Sequence, residues 1–211
     1  MRITVHAFLT LDGVVQGPGA PDEDPSGGFT AGGWLVPYAD DDMGEIVDGW
    51  FHGTDALLYG RTTYQIMAAF WPQVTDPDNL VARVLNEGTK YVVTSTLADA
   101  DWGPTTILRS LDDVRRLREQ DGGELQVHGS AGLAASLHAA GLVDEYRLIT
   151  FPVTVGAGKR LFPVDAPPRG FELLATRTTS TGAVYTALRP TAYAGAGSFG
   201  VVDGRETIDR G

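Results

Sequence analysis

The chain has no cysteine among its 211 residues. It can therefore form no disulfide and no zinc-thiolate site, and it can have no cysteine nucleophile. Basic residues are also scarce, with 16 Lys and Arg against 27 Asp and Glu and a formal net charge of −11. Nucleic acids and anionic membranes bind positively charged faces, so this balance argues against both as partners.

A long hydrophobic run is missing as well. No apolar stretch approaches the roughly 20 residues that a membrane-spanning helix needs. Residues 1–5 enter a strand pattern directly, without the apolar segment of a secretory signal. We therefore expect a cytoplasmic protein.

What the chain does contain is a regular alternation of strand-like and helix-like segments. The patterns predict strands at residues 3–9, 55–60, 90–94, 105–108, 124–128, 146–153, 171–178 and 183–188, and helices at about 40–51, from 61, at 77–87, at 112–119 and from about 131. Such alternation is typical of a mainly parallel sheet covered on both faces. The short Ser180–Gly182 turn predicts that the last two strands form an antiparallel hairpin.

Two segments fall outside this alternation. Residues 16–33 are rich in Gly, Pro and Asp and predict a long irregular loop, which is usually functional or mobile. Residues 190–211 are small and polar with little periodicity. They predict a mobile C-terminal tail behind one domain of residues 1–189, with ordering by a neighbouring subunit as the alternative.

Three predicted strands end in segments that combine glycine, hydroxyl or arginine groups, namely residues 60–63, 94–96 and 129–132. Ligands of open α/β sheets bind at the carboxyl ends of strands, and helix N-termini bind phosphate. Each segment also has a purely structural interpretation: Thr62 as a helix cap, Arg61 in a surface ion pair, and residues 94–96 as a turn. Together the three favour an extended dinucleotide.

Five motifs follow in an order that resembles a known family, the reductase domain of bacterial riboflavin biosynthesis, and with it the dihydrofolate reductase-like fold. They are TLDGVV at 10–15, YGRTTY at 59–64, HGSAGL at 128–133, GLVDE at 141–145 and FPVTVGAGKRLF at 151–162. The ordered series spans roughly residues 1–189. The resemblance implies a three-layer α/β/α fold, with a mostly parallel central sheet and antiparallel C-terminal edge strands.

The resemblance also implies NADPH as the cofactor and assigns residues to it. The implied contacts are Gly60, Arg61, Thr62 and Thr63 near the adenosine phosphates, Thr94 and Ser95 near the 2′-phosphate, Gly129, Ser130, Ala131, Gly132 and Leu133 on the pyrophosphate, and Val14, Val15 and Gly156 near the nicotinamide. A homodimer is a further expectation from the family.

The first helix departs from the folate-reducing relatives, which carry an acid four residues before an aromatic residue. Here Val47 lies four residues before Phe51, and Asp48 is one position off, about 100° around a helix. This register argues against true dihydrofolate reduction. Asp48 remains a candidate substrate contact, but a solvent-facing position is the stronger expectation.

Other candidates for the substrate side are less specific. Trp34 and Tyr64 could line a pocket for a planar heterocycle, with core packing as the alternative. A proton could come from water or from Asp12 at the end of the first strand. The four histidines show no metal-ligand spacing, and the ligands of the zinc deaminase often fused to this reductase are absent, so no metal site is expected.

The sequence therefore predicts an NADPH-dependent reductase that transfers a hydride to a small heterocycle. The family resemblance implies 5-amino-6-(5-phosphoribosylamino)uracil reductase as the reference activity. A dihydrofolate or pterin reductase and a non-catalytic NADPH-binding sensor remain the alternatives.

Overall fold

The computed structural model describes all 211 residues, which form ten strands and five α-helices. The strands are β1 (Arg2–Thr10), β2 (Thr54–Gly60), β3 (Thr89–Val93), β4 (Thr105–Leu108), β5 (Glu124–His128), β6 (Glu145–Phe151), β7 (Gly170–Thr178), β8 (Val184–Thr191), β9 (Ser198–Val202) and β10 (Arg205–Asp209). The helices are α1 (Asp41–Phe51), α2 (Arg61–Phe70), α3 (Leu80–Glu87), α4 (Leu111–Arg118) and α5 (Ala131–Ala139). None of the helices is long and apolar enough to cross a membrane.

Eight strands form one sheet in the order β4-β3-β2-β5-β1-β6-β8-β7. Strands β1 to β6 run parallel to one another, whereas β8 pairs antiparallel with both β6 and β7. The predicted parallel sheet with antiparallel C-terminal edge strands is confirmed. Because all six parallel strands point the same way, their carboxyl ends meet at one edge of the sheet.

The alternation of side chains along β1 divides the core into two layers. Ile3, Val5, Ala7 and Leu9 are buried on the face that α4 and α5 cover. The opposite face packs against α1, α2 and α3, with residues such as Trp50, Tyr59 and Leu85 in its core. Full burial of one such side chain stabilises the fold by about 1.5–3 kcal/mol. The three-layer arrangement follows from helices that each bury one apolar side.

Two helix starts differ from the prediction because the capping residue is a different one. Helix α3 begins at Leu80 rather than near Pro77, since the Asn79 side chain accepts the N–H of Ala82 at 2.8 Å. Helix α4 is capped by Ser110 rather than Asp112, and Ser110 and Asp113 form a reciprocal capping box.

The segment predicted as a C-terminal tail contains regular structure in its second half. Strand β8 extends to Thr191, and β9 and β10 then pair as an antiparallel hairpin that forms a sheet of its own. The turn between them places Asp203 and Gly204 at positive φ, of 50° and 75°. These strands are only five residues long, which hides their period in a Gly- and Ala-rich segment.

Candidate active site at the carboxyl edge of the sheet

Three loops are joined side by side at the carboxyl ends of β3, β2 and β5. Arg61 donates from Nη1 to Oγ1 of Thr96 at 2.8 Å, which links the turn after β2 to the turn after β3. The N–H of Gly60 donates to Oγ of Ser130 at 2.9 Å, and the N–H of Ser130 donates to Oγ1 of Thr63 at 3.1 Å. The three segments singled out in the sequence are therefore one continuous surface.

The turn after β5 has a strained backbone. Gly129 has φ +57°, and Ser130 follows with φ 56° and ψ 55°, one of only two non-glycine residues at positive φ. The left-handed region costs an ordinary residue about 1–2 kcal/mol. Such strain concentrates at functional sites, and here it starts α5 directly beside the start of α2.

Neither α2 nor α5 is capped by a side chain, and neither has an acidic residue in its first turn. Both helices start at the carboxyl edge of the sheet, because α2 follows β2 directly and α5 follows β5 after only two residues, Gly129 and Ser130. The first N–H groups of a helix carry partial positive charge and lack intrahelical acceptors. Two such helix ends side by side can bind the oxygens of a pyrophosphate.

The turn after β3 is held by its own threonine. Thr94 is buried, and its Oγ1 accepts the N–H groups of Thr96 and Leu97 at 3.2 and 3.1 Å. Ser95 is exposed. The structure therefore leaves Ser95 more accessible to a ligand than Thr94, whose hydroxyl closes the turn.

A second arginine lies at this turn and was not predicted from the sequence. Arg109, the first residue after β4, donates from Nη1 to the carbonyl oxygens of Thr94 and Leu97 at 3.2 and 2.9 Å. The turn after β3 thus lies between two exposed guanidinium groups, Arg61 and Arg109. The available signal was a basic residue directly behind a strand predicted at the same sheet edge.

On the other side of β5, Asp12 joins the loop after β1 to the loop after β6. Its carboxylate accepts the Thr10 hydroxyl at 2.6 Å and the N–H groups of Gly156 and Val155 at 2.8 and 3.3 Å. The Thr10 hydrogen bond, helped by the two N–H groups, lowers the pKa of Asp12. An ionised, fully engaged carboxylate is poorly suited to donate a proton, so the catalytic prediction for Asp12 gains no support.

Residues 156–160 pack against the start of the long loop. Val14 is buried and forms a bridge with Arg160, and the N–H of Val15 donates to the Lys159 carbonyl at 2.9 Å. Gly158, at φ +133°, lies so close to Val14 that an added Cβ would stand 2.6 Å from the valine Cγ1. Gly156 is exposed at this edge. The three predicted nicotinamide-side residues, Val14, Val15 and Gly156, are thereby brought to one place.

The predicted irregular loop at residues 16–33 is confirmed, and its buried end is fixed by hydrogen bonds. Gln16 donates from Nε2 to the carbonyl oxygens of Asp24 and Ser26, both at 2.9 Å, and its Oε1 accepts the N–H of Lys159. The Lys159 ammonium pairs with Asp24 at 2.7 Å. The loop therefore lies closed over residues 156–160.

Trp34 and Tyr64, the two aromatic pocket candidates, are core residues. The Trp34 ring is 6% exposed, and its Nε1 donates to the Gln16 carbonyl at 2.8 Å. Tyr64 is 3% exposed, and its hydroxyl accepts the N–H of Trp102 at 2.9 Å. Neither ring leaves much surface for a substrate. Asp48 lies exposed on α1, as the register of the helix led us to expect.

A different set of aromatic residues lies half-buried between β1, β8 and the segment before α1, namely Phe8, Tyr38 and Tyr185. Phe8 stacks on Trp50 with centroids 5.7 Å apart, and Tyr38 lies 6.3 Å from Phe151. Residue type alone cannot tell these rings from the core, which is why the sequence did not single them out.

Two buried histidines, His6 and His128, lie next to Trp50, on which Phe8 stacks. His128 stacks between Phe51 and His6, with centroid distances of 4.7 and 4.8 Å, and burial lowers the pKa of His128 to about 3. Burial also holds the pKa of His6 well below its ordinary value, so both rings favour the neutral form. His128 accordingly serves as a structural residue beneath the glycine turn.

Comparison with known proteins agrees with this geometry. The profile of the family described as RibD C-terminal domain matches residues 1–185. YyaP, an uncharacterized protein of Bacillus subtilis (strain 168), is 30% identical over 187 residues, which cover 87% of this chain and 92% of YyaP.

Two solved structures show the same fold at low sequence identity. A protein from Shewanella sp. PV-4 assigned to riboflavin biosynthesis superposes with a TM-score of 0.62 at 17% identity, covering 90% of this chain and 99% of the other. Dihydrofolate reductase from Enterococcus faecalis, solved with NADP(H), superposes with a TM-score of 0.57 at 15% identity, covering 90% and 96%. The fold is thus dihydrofolate reductase-like, of a reductase type, and the chain belongs to the RibD C-terminal domain family.

Proposed function

We propose that the protein is an NADPH-dependent reductase whose cofactor binds along the carboxyl edge of β3, β2, β5 and β1. The observation that carries the proposal is the joined surface of three loops, in which two uncapped helix N-termini stand beside two exposed arginines. Helix N-termini and arginines both bind phosphate, so this surface suits a dinucleotide that has a phosphate group at each of the two places.

Each part of NADPH has residues that fit it. The first turns of α2 and α5 (residues 61–63 and 131–133) would hold the pyrophosphate, and Val15 and Gly156 would lie at the nicotinamide, next to the fully buried Val14. When bound, the cofactor supplies a hydride from its C4 carbon. The residues of this chain orient the ring, and the closed loop at 16–33 excludes water from that end.

The two guanidinium groups favour NADPH over NADH. Arg61 and Arg109 flank the turn at residues 94–97, with the exposed Ser95 between them. A 2′-phosphate placed there would accept charge-assisted hydrogen bonds from both sides. NADH lacks this group and would lose that contribution.

For the substrate we propose a small planar heterocycle without a phosphate group. The half-buried rings of Phe8, Tyr38 and Tyr185 offer faces for stacking. Each base at this end pairs with a carboxylate, unlike Arg61 and Arg109: Lys159 with Asp24, Arg160 with Asp12, and Arg177 with Asp42 and Glu45.

Helix α1 reinforces this proposal, because it carries four acids and no base. A phosphoribosyl pyrimidine, the substrate type that the family implies, would meet this negative surface without a free cation. Pterins, flavins and other uncharged heterocycles fit the site better.

A non-catalytic NADPH sensor is a second candidate, favoured by the state of Asp12 and by the exposure of Asp48. Neither residue is placed as a proton donor, so turnover would take its proton from water. Binding without oxidation of NADPH by any acceptor would identify a sensor.

The test is a titration of the protein with NADPH and NADH, followed by tryptophan quenching and nicotinamide fluorescence. We expect tighter binding of NADPH, weakened about tenfold or more by Arg61→Ala. Arg116→Ala, which removes a surface arginine paired with Asp113, serves as the matched control. A screen of pterins, flavins and pyrimidines then follows NADPH oxidation. If neither nucleotide binds, the proposal is wrong.

A further inference from the structure

The indole N–H of Trp50 differs from those of the other three tryptophans, because it has no acceptor. The other three Nε1 atoms donate to the Gln16 carbonyl at 2.8 Å, to Sδ of Met67 at 3.0 Å and to Oδ1 of Asn86 at 2.9 Å. Trp50 is 4% exposed, and its Nε1 has no hydrogen-bond partner. A buried donor without an acceptor costs free energy, so this N–H is a candidate contact for a group from outside the chain.

A second unpartnered atom lies beside Trp50. Only three buried side-chain polar atoms lack a partner, and His6 Nδ1 is another of them. His6 is 1% exposed, its ring meets the Trp50 ring edge to face with centroids 4.9 Å apart, and its Nε2 lies 2.9 Å from Oγ1 of Thr4. When the neutral ring donates from Nε2 to Thr4, its Nδ1 is an acceptor. A donor and an acceptor without partners therefore occur on adjacent rings.

These two rings lie directly beneath the aromatic residues proposed for stacking with the substrate. Phe8 stacks on Trp50 with centroids 5.7 Å apart, and the Tyr185 ring lies 6.4 Å from Trp50. Phe8 and Tyr185 are half-buried. Burial raises the pKa of Tyr185, whereas Arg147 and the Trp50 N–H oppose the rise, which indicates that this N–H is directed towards the Tyr185 hydroxyl. A ligand on Phe8 therefore reaches Nε1 when the Tyr185 side chain turns aside, a rotamer change of the kind that binding commonly produces.

We infer that Trp50 and His6 select the substrate by its hydrogen-bonding edge, and that this edge is a lactam, a ring carbonyl next to a ring N–H. The carbonyl oxygen accepts the Trp50 N–H, and the adjacent N–H donates to Nδ1 of His6. An amino group next to a bare ring nitrogen presents the reverse order, which sets donor against donor and acceptor against acceptor.

The inference rests on the proposed function for the place of the substrate and narrows its chemical class. Oxo heterocycles, such as pterins and the isoalloxazine ring of flavins, carry a lactam edge and a flat face for stacking. Their 4-amino counterparts have the same flat face without that edge. Stacking on Phe8 accepts both kinds of ring, so the discrimination between them belongs to Trp50 and His6.

The test uses two probes that differ in this edge, pterin (2-amino-4-oxopteridine) and 2,4-diaminopteridine. Calorimetric titration of the full chain, with and without NADPH, should show pterin binding about tenfold more tightly. Trp50→Phe keeps an aromatic ring but removes the N–H, and it should remove most of this preference without changing NADPH affinity. Trp71→Phe, which makes the same change where the N–H already has an acceptor, is the matched control and should keep the preference.

The indole signals of the ¹⁵N-labelled wild-type protein provide a second measurement that needs no variant. Pterin should move the Trp50 indole N–H signal downfield, because this donor gains an acceptor, and should leave the signals of Trp71 and Trp102 in place. An unmoved Trp50 signal would overturn the inference. So would equal binding of the two probes, binding of neither, or an unchanged preference in Trp50→Phe.

The NADPH titration keeps this result separate from that of the proposed function. A protein that binds NADPH but does not discriminate between the probes refutes the lactam contact and leaves the cofactor assignment intact. A protein that prefers pterin but binds no NADPH supports the lactam contact and refutes the cofactor assignment.

Discussion

Three of the five helices begin with a side chain that accepts a hydrogen bond from the first turn, whereas two do not. Helices α1, α3 and α4 are capped by Asp40, Asn79 and Ser110. Helices α2 and α5 have no such cap, and both begin at the carboxyl edge of the sheet. In a chain with 27 acidic residues, these two helices contain none.

The difference in capping indicates that the two groups of helices have different roles, one in stability and one in binding. A side-chain cap stabilises a helix by about 1 kcal/mol, and an acid in the first turn adds about 0.3–1 kcal/mol. Both also occupy or neutralise the N–H groups that would otherwise bind an anion. The capped helices therefore contribute stability, and the uncapped pair leaves its N-termini free for phosphate.

The largest effect is expected from placing an acid in an uncapped first turn. An added Cβ at Gly132 meets nothing within 4 Å, so Gly132→Asp fits sterically. It should raise the free energy of unfolding by about 0.5 kcal/mol and weaken NADPH binding on the order of tenfold to a hundredfold. Calorimetry and thermal unfolding measure the two changes. Gly132→Ala, the uncharged control, should raise stability without the loss of affinity; an equal loss in both variants would refute the electrostatic explanation.

The next largest effect on nucleotide binding is expected at Arg109, which was not predicted from the sequence. Arg109→Ala should weaken NADPH binding about tenfold and NADH binding about twofold or less, because only NADPH has the 2′-phosphate. Binding titrations with both nucleotides give the ratio. Arg116→Ala should change neither. Parallel losses for NADPH and NADH would mean that Arg109 only supports the turn at residues 94–97.

Two serines, one at the start of a capped helix and one before an uncapped helix, test the difference between the two kinds of helix. Ser110→Ala removes the α4 cap and should cost about 1 kcal/mol of unfolding free energy without changing NADPH affinity. Ser130→Ala removes the acceptor for the Gly60 N–H and should weaken NADPH binding severalfold. Chemical denaturation and NADPH titration of both variants check this. Reversed outcomes would break the division between capped and uncapped helices.

The smallest effect is the part of the pH dependence that comes from the cap of helix α1. Hydrogen bonds from Met43, Thr181 and Ser180 lower the pKa of Asp40 below its ordinary 3.8. A carboxyl with a depressed folded-state pKa stabilises the fold above the unfolded value and loses this contribution as the pH falls towards the folded value. Thermal unfolding between pH 7 and 3 should therefore show a decline below about pH 4. Other carboxyls with a lowered pKa, such as Asp12, add to this decline, so Asp40→Asn should make it shallower without abolishing it. An unchanged slope would contradict the assignment.

The sequence revealed the elements whose patterns are local. Strands β4 and β5 have the predicted limits, because β-branched and apolar residues alternate between clear breakers. The segments at residues 60–63, 94–96 and 129–132 were identified because glycine and hydroxyl residues follow predicted strands. The parallel order of the strands then brings them together.

What the sequence could not reveal depends on contacts between distant residues. Arg109 joins the site only because β4 pairs with β3, and Trp34 and Tyr64 are buried by partners at Gln16 and Trp102. Asp12 is acidic and well placed along the chain, yet the N–H groups of residues 155 and 156 occupy it. Residue type and spacing carry none of this information.

Backbone amide chemical shifts during a titration of the ¹⁵N-labelled protein with NADPH test the central claim most directly. The account predicts that the largest changes fall on the N–H groups of residues 61–63 and 131–133, with the turn at 94–97 next. The N-termini of α1, α3 and α4 should stay unchanged. Shifts centred on the capped helices, or a response that leaves the starts of α2 and α5 untouched, would contradict it.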